Sequence, residues 1–183
     1  MNDDRFLDDI LSTCQHWDGK IAEKVAGQTQ EALNWRPNSD VWSVAQQLDH
    51  LIKGNRLYVE ALRAVVSQAT PFSKPYRPSI VGKLMFAAVR PSKSSLVPVP
   101  KPMVPSVHEF SKSVLEEYLD VEAAFRDVVN AYRGKELNGR FVSPLSKFVR
   151  IKVGDAMQII RLHNERHLSK ALDLMSDSQF GQS

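Results

Sequence analysis

The chain has 183 residues, of which 43% are hydrophobic and 25% charged, and we expect one globular domain over residues 1–183. No apolar run approaches the ~20 residues of a membrane span, and the acidic, polar first residues do not resemble a secretory signal, so we expect a cytoplasmic protein with no membrane partner. The net charge is +3, with the positive excess confined to residues 68–105. A nucleic-acid binder usually carries its charge on a folded face with stacking aromatic side chains, so no nucleic-acid partner is expected.

The first predicted helix covers residues 3–26. Its apolar residues recur at a spacing of three and four, which builds one buried stripe. Acidic residues crowd its first turns, where the helix dipole favours negative charge, and Gly27 is a natural stop. Cys14 lies on the stripe; because it is the only cysteine, no intrachain disulfide can form, and we expect a buried thiol that fills the core.

The second predicted helix covers residues 43–68. Ser43 and Gln46 fit a capping box, in which the serine hydroxyl and the glutamine side chain each bond a free backbone amide. Gln47 and Tyr58 lie on its apolar arc, where they either line a pocket or serve the packing of the helices. The three tryptophans, Trp17, Trp35 and Trp42, are interpreted as core anchors.

Residues 68–105 form a predicted connector, because they contain eight of the ten prolines. Only residues 79–90 are free of proline and apolar enough for a short helix. The connector carries six basic residues and no acidic one. We interpret this charge as solvated; the alternative is contact with an anionic ligand or surface.

The third and fourth predicted helices cover residues 106–132 and 155–175. Ser106 and Glu109 fit a second capping box, and Asp155 with Gln158 supplies an N-terminal cap for the last helix. The stretch between these helices is rich in turn residues, and no segment alternates with period two over the length of a strand. Long amphipathic helices in series indicate an all-α protein, most simply a four-helix bundle, with no sheet of three or more strands.

Two histidines interrupt the apolar stripe of the last helix. His163 and His167 are four residues apart, so their rings point the same way from successive turns. Buried imidazoles need partners for their nitrogens, and a metal ion satisfies both rings at once. Hydrogen-bonded core histidines and a chance surface pair are the alternatives. The residues between the pair exclude the zincin motif, because Glu165 does not directly follow the first histidine.

His50 is a candidate third ligand. It lies at the edge of the apolar arc of the second helix, where it could reach a site between helices. The alternative is a half-buried histidine bonded to solvent. Asp49 points to a different face of this helix, and His16 and His108 are interpreted as structural.

The stretch from Trp42-Ser43 to His50-Leu51, preceded by Trp35-Arg36-Pro37, resembles the start of the second helix in the DinB-like superfamily. Gly154-Asp155-Ala156, which leads into His163 and His167-Leu168, is similar to the last long helix of that family. The resemblance implies an up-down bundle with a long crossover between helices two and three. It also implies that His50, His163 and His167 hold one divalent metal ion, with zinc or nickel expected.

The resemblance also bears on activity. Members with a known reaction resemble thiol-dependent transferases or isomerases in which the metal activates a small thiol, and others are proposed hydrolases. Three protein ligands leave a coordination position open for water or substrate. No acid or base stands out beside the site, so two functions remain: a metal-dependent enzyme acting on a small molecule or thiol, or a non-catalytic bundle that binds a metal or small ligand in a stress response. The family resemblance also implies a homodimer, for which Leu57 is a candidate interface residue.

Overall fold

The computed structural model describes residues 3–91, 99–105, 107 and 109–182. The described chain is mostly helical, as expected, with six α-helices, one short 3-10 helix and one two-stranded sheet. In chain order the elements are α1 (Asp3–Ala26), α2 (Gln30–Asn34), α3 (Val44–Val66), α4 (Ile80–Val89), the 3-10 helix (Lys101–Met103), α5 (Val114–Ala131), β1 (Arg140–Ser143), β2 (Ser146–Lys152) and α6 (Val153–Met175).

The first two predicted helices are present with nearly the predicted bounds. α1 ends one residue before Gly27, and α3 begins directly after Ser43. The predicted capping box is formed: the amide of Gln46 donates to Ser43 Oγ at 3.2 Å, and the amide of Ser43 donates to Gln46 Oε1 at 3.0 Å. The short helix predicted at 79–90 is α4, which is capped by Ser79. These boundaries are set by local signals.

The third predicted helix begins later than expected. α5 starts at Val114, so the prediction that the helix begins near residue 106 is wrong. Ser106 itself lies outside the described residues. The reason is a tertiary contact, because the side-chain amide of Asn34 bonds both backbone groups of Phe110, each at 2.8 Å. A residue whose carbonyl is already engaged in this way is not free to start a helix.

The last helix begins earlier than predicted. α6 starts at Val153, and Asp155 is its third residue rather than its N-cap. The carboxylate of Asp155 reaches back to accept the backbone N–H of Lys152 at 3.3 Å. An acidic residue at this position performs the return half of a capping box, so a capping box is present but its N-cap is Lys152, three residues before the predicted one.

Three features were not predicted: the single-turn helix α2, the short 3-10 helix, and the hairpin of β1 and β2. The strands pair antiparallel, with Phe141 opposite Ile151, whose side chains are both buried. The hairpin lies between α5 and α6 in the chain and supplies part of the apolar core. The expectation that no larger sheet forms holds for the described residues.

The long helices pack so that α3 and α1 each contact both α5 and α6. Two apolar clusters fill the space between them, one around Phe125 and Ile160 and the other around Leu48 and Tyr118. Cys14 is buried in the first cluster, as predicted. On each long helix a buried polar residue lies between the stretches that belong to the two clusters: Asp18 on α1, Asn55 on α3, Glu122 on α5 and Asn164 on α6.

The connector is fastened to the start of α6 by Asp155. This carboxylate is fully buried and accepts hydrogen bonds from the Tyr76 hydroxyl at 2.7 Å and from the Ser79 hydroxyl at 2.6 Å. Gly82 approaches the same group so closely that a Cβ there would lie 2.5 Å from Asp155 Oδ1. The connector is therefore docked on the helices through its buried residues, while its described basic residues remain exposed.

None of the helices in the described ranges combines the length and the apolar character that a membrane crossing requires.

Candidate metal centre

The three histidines singled out in the sequence come together between α3 and α6. His50 Nε2 lies 2.9 Å from His163 Nε2, and one ring nitrogen from each of the three histidines lies within 4.8 Å of the others. The ring centroids are 4.4–4.8 Å apart. The rings of His163 and His167 meet because their four-residue spacing stacks them on one face of α6.

His50 is oriented by a backbone group of the connector. Its Nδ1 lies 2.7 Å from the carbonyl oxygen of Met103. A carbonyl oxygen can only accept a hydrogen bond, so Nδ1 carries the proton and donates it. The unprotonated Nε2 then faces the other two histidines, and its lone pair points into the cluster.

His167 is oriented by a side chain of α3. Its Nδ1 lies 2.6 Å from Gln47 Oε1, so Nδ1 donates and Nε2 keeps its lone pair. Of the two roles considered for Gln47, the structure therefore supports the one at the pocket. Trp42, predicted to be a core anchor, is instead half-buried and stacks on His167 with an interplanar angle of 26°, and its ring centroid lies 5.0 Å from that of His50.

Burial keeps the cluster neutral. It lowers the pKa of His50, and together with the neighbouring His50 ring it lowers the pKa of His163 to about 3. The pKa of His167 is lowered further, first by burial and then by the charges that the adjacent histidines would carry. Neutral imidazole is the form that binds metal ions, so the rings are held in their ligand form at neutral pH.

A cavity of about 960 Å³ opens beside the three histidines. Its apolar walls come from α4, from the turn of the hairpin and from α6, and its polar wall comes from α3 and α6. The apolar residues on these walls include Met85, Ala88, Val89, Leu145, Ile159 and Ile160. Tyr58 and Gln47 also line it, together with the three histidines, so the cavity is continuous with the histidine cluster.

The donor set fits a metal ion. With bonds near 2.1 Å, two nitrogens on one ion can be at most about 4.2 Å apart, so the observed separations require only small ring movements. Within the described ranges, this is the group of three or more histidine, cysteine or acidic side chains that meets the geometry of a metal site. The second nitrogens of His50 and His167 already have the outer hydrogen-bond partners that usually fix ligand tautomers.

The remaining candidates are resolved as follows. Asp49 does point elsewhere, where it forms an ion pair with Lys53 at 2.8 Å. Glu165 is not among the cavity residues, and His16 is exposed. His108 lies outside the described residues.

Sequence reasoning missed Met103 and Arg166. Met103 acts through its carbonyl oxygen, which no sequence pattern reveals. Arg166 lines the cavity, and its spacing of three residues from His163 was a signal that could have placed it on that side of α6.

The arrangement defines a helical protein with an internal three-histidine site. Residues 19–171 match the family model described as the DinB superfamily. The chain therefore belongs to the DinB superfamily, as its motifs had indicated. No curated protein and no solved structure gives a significant match to the chain.

Proposed function

We propose that this DinB-superfamily protein binds one divalent metal ion through His50, His163 and His167 and uses it in a reaction on a small molecule, with thiol transfer preferred over hydrolysis. The observation that carries the proposal is the convergence of the three rings, with His50 Nε2 and His163 Nε2 at 2.9 Å. Because His50 Nε2 carries a lone pair, a separation this short requires either a proton on His163 Nε2 or a cation between the two nitrogens, and the third ring beside them favours the cation.

The expected ion is zinc or nickel, since imidazole suits both. Three neutral ligands would leave the full positive charge of the ion in place and at least one coordination position open. A substrate oxygen, a thiolate or a water molecule could bind there, and the ion would polarise the oxygen, stabilise the thiolate or lower the pKa of the water. The chain's own residues prepare the site. Met103 and Gln47 fix the ring orientations, and the cavity beside the rings is lined largely by apolar side chains.

The second candidate is a non-catalytic protein that binds a metal or small ligand. One observation favours it: among the described residues, the cavity has no serine, threonine or cysteine, and its carboxylates, Asp40 and Asp173, are exposed. Thiol transfer is still preferred, because a metal-bound thiolate is itself the nucleophile and needs no protein nucleophile. Screening the metal-loaded protein against a panel of thiols and electrophiles separates the two functions, since only the enzyme turns over.

The metal itself is tested by elemental analysis of the purified chain, dialysed and then reloaded with zinc or nickel. We expect about one ion per chain for the wild type and almost none for the double variant His163→Ala/His167→Ala. His16→Ala, which removes an exposed histidine, is the matched control and should keep the wild-type content. A double variant that retains the wild-type metal content contradicts the proposal.

We also propose that the long helices form one up-down bundle domain, with residues 68–105 as the crossover, and that the protein is a homodimer. Long helices that pack pairwise around shared clusters support the bundle. The dimer is supported by the family resemblance alone, and Leu57 is half-buried. Sedimentation of the full chain at high micromolar concentration tests it; a monomer under these conditions excludes the dimer.

A further inference from the structure

Arg166 is a buried cation inside the cavity. It lies on α6 between His163 and His167 in the sequence, lines the same cavity, and is only 5% exposed. Arginine is almost never buried to this degree without a partner, because taking its charge out of water is costly.

The partners of Arg166 within the described chain do not neutralise it. Its Nη1 donates to the carbonyl oxygen of Ala88 at 3.0 Å, while its Nε is buried with no hydrogen-bond partner. The ion pairs of the described residues involve other cations, Lys53, Arg126 and Arg133. Arg166 therefore uses one of its five N–H donors, and the acceptor is neutral. This bond caps the end of α4, and a purely structural role for Arg166 would consist of this bond alone.

The other charges around the cavity do not change this balance. Lys170, Asp40 and Asp173 also line it, but all three are exposed, so water screens them. Among the described residues, the interior of the cavity thus combines apolar walls with a single buried positive charge. A cavity of this kind is complementary to a molecule that carries one anionic group on an apolar body.

We propose that the cavity binds an amphiphilic anion, whose carboxylate or sulfonate group pairs with Arg166 and whose apolar body packs against Met85, Ile159 and Ile160. The amphiphilic anion is the substrate class of the proposed function. Binding of the anion does not depend on that function; only its description as a substrate rests on it. Arginine is suited to the task because its planar guanidinium pairs with oxyanions and keeps its charge at any physiological pH.

Two fluorescent probes test the pairing. 8-Anilino-1-naphthalenesulfonate and N-phenyl-1-naphthylamine share the same aromatic rings, but only the first carries a sulfonate. The full chain is titrated with each probe, as purified and again after zinc is added. We expect Arg166→Met to weaken binding of the sulfonate probe about tenfold or more and to change binding of the neutral probe less than about twofold. Arg166→Lys should retain part of the preference for the sulfonate.

Arg161→Met is the matched control, because it removes the same charge from α6 at a position outside the cavity, where Arg161 bonds Gln158. Val89→Trp fills the cavity from the α4 side and should weaken both probes, which would locate them there. Neutral-probe binding close to that of the wild type also shows that the Arg166→Met variant is folded. Three results would overturn the proposal. Arg166→Met could weaken both probes equally, or Arg161→Met could have the same effect as Arg166→Met. The third is a preference for the sulfonate that requires zinc and persists in Arg166→Met.

Metal content, measured on the same samples, keeps this inference separate from the proposed function. Arg166→Met should hold as much metal as the wild type, because arginine is not a ligand. If the wild type holds no metal and still loses its sulfonate preference on substitution, the metal function fails and the anion site stands.

Discussion

The ring of His50 is oriented by the backbone of Met103, which lies 53 residues further along the chain. The side chain of Met103 is buried as well, and its Cε occupies the space 2.5 Å from where a Cβ on Gly54 would lie. The absence of a side chain at Gly54 therefore lets the connector pack against α3 closely enough for its carbonyl to reach His50. The connector therefore takes part in the site through the backbone of Met103.

Replacing Gln47 by leucine should weaken metal binding without removing a ligand. Leucine cannot accept a hydrogen bond from His167 Nδ1–H, so the ring loses the partner that fixes its tautomer and orientation. We expect the affinity for zinc to fall about 10–100-fold. Competition with a chromophoric chelator measures it. Gln68→Leu, at an exposed position just after α3, is the control, and an unchanged affinity in Gln47→Leu would show that the hydrogen bond has no part in the site.

Replacing Gly82 by alanine should destabilise the protein. The new Cβ would meet the carboxylate of Asp155, which cannot yield easily because Tyr76 and Ser79 hold it in place. We expect a loss of about 1–3 kcal/mol in the free energy of unfolding, measured by urea denaturation followed by circular dichroism.

The matched control for Gly82 is Gly19→Ala. Gly19 lies within α1 and has nothing within 4 Å of an added Cβ, so alanine there should stabilise the chain by about 0.5–1 kcal/mol. If both variants shift stability in the same direction, the close contact with Asp155 does not constrain position 82.

Glu122 should make stability depend on pH. Burial, reinforced by the negative charge of Asp18, raises its pKa from 4.5 to about 8. Between these values the folded chain holds a proton that the unfolded chain has released. The unfolded state then binds fewer protons, and the free energy of unfolding falls as the pH rises from about 4.5 to about 8.

Glu122→Gln tests this directly, because glutamine has nearly the same shape and no titrating proton. We expect the variant to gain stability relative to the wild type as the pH is raised from 5 to 8, measured by urea denaturation at each pH. Burial also raises the pKa of Asp18. Asp18 is present in both proteins, so its contribution to the pH dependence cancels to first order when the two are compared. Parallel pH profiles would mean that Glu122 does not carry a proton in the folded protein.

The parts of the fold that could be predicted are those set by neighbouring residues. Ser43 and Gln46 mark the start of α3 because a capping box is a local structure. The start of α5 could not be predicted in the same way, because it depends on the contact between Asn34 and Phe110 across the fold. The hairpin was missed because β2 does not alternate: Phe148 is 86% exposed, which breaks the period-two pattern.

In the candidate site, too, the residues with a local sequence signal could be predicted and the partners from distant parts of the chain could not. Its three histidines were identifiable, two from helical spacing and His50 with the help of the family motif. Their outer partners were less accessible to prediction. Gln47 was named as one of two alternatives, whereas the Met103 carbonyl is a backbone group that every residue possesses. The role of Trp42 was misassigned because a tryptophan at the start of a helix carries the same sequence signal whether it packs in the core or stacks on a histidine.

His50 and His163 are separated by 113 residues of chain, so an ion bound to both would act as a removable cross-link. Unlike a covalent bridge, this link exists only in the folded arrangement, because the three rings come together only there. An ion that binds only that arrangement stabilises it by mass action, by about 2.7 kcal/mol when its free concentration is 100 times the dissociation constant. The melting temperature of this protein would then report the availability of metal in its surroundings, independently of any reaction at the site.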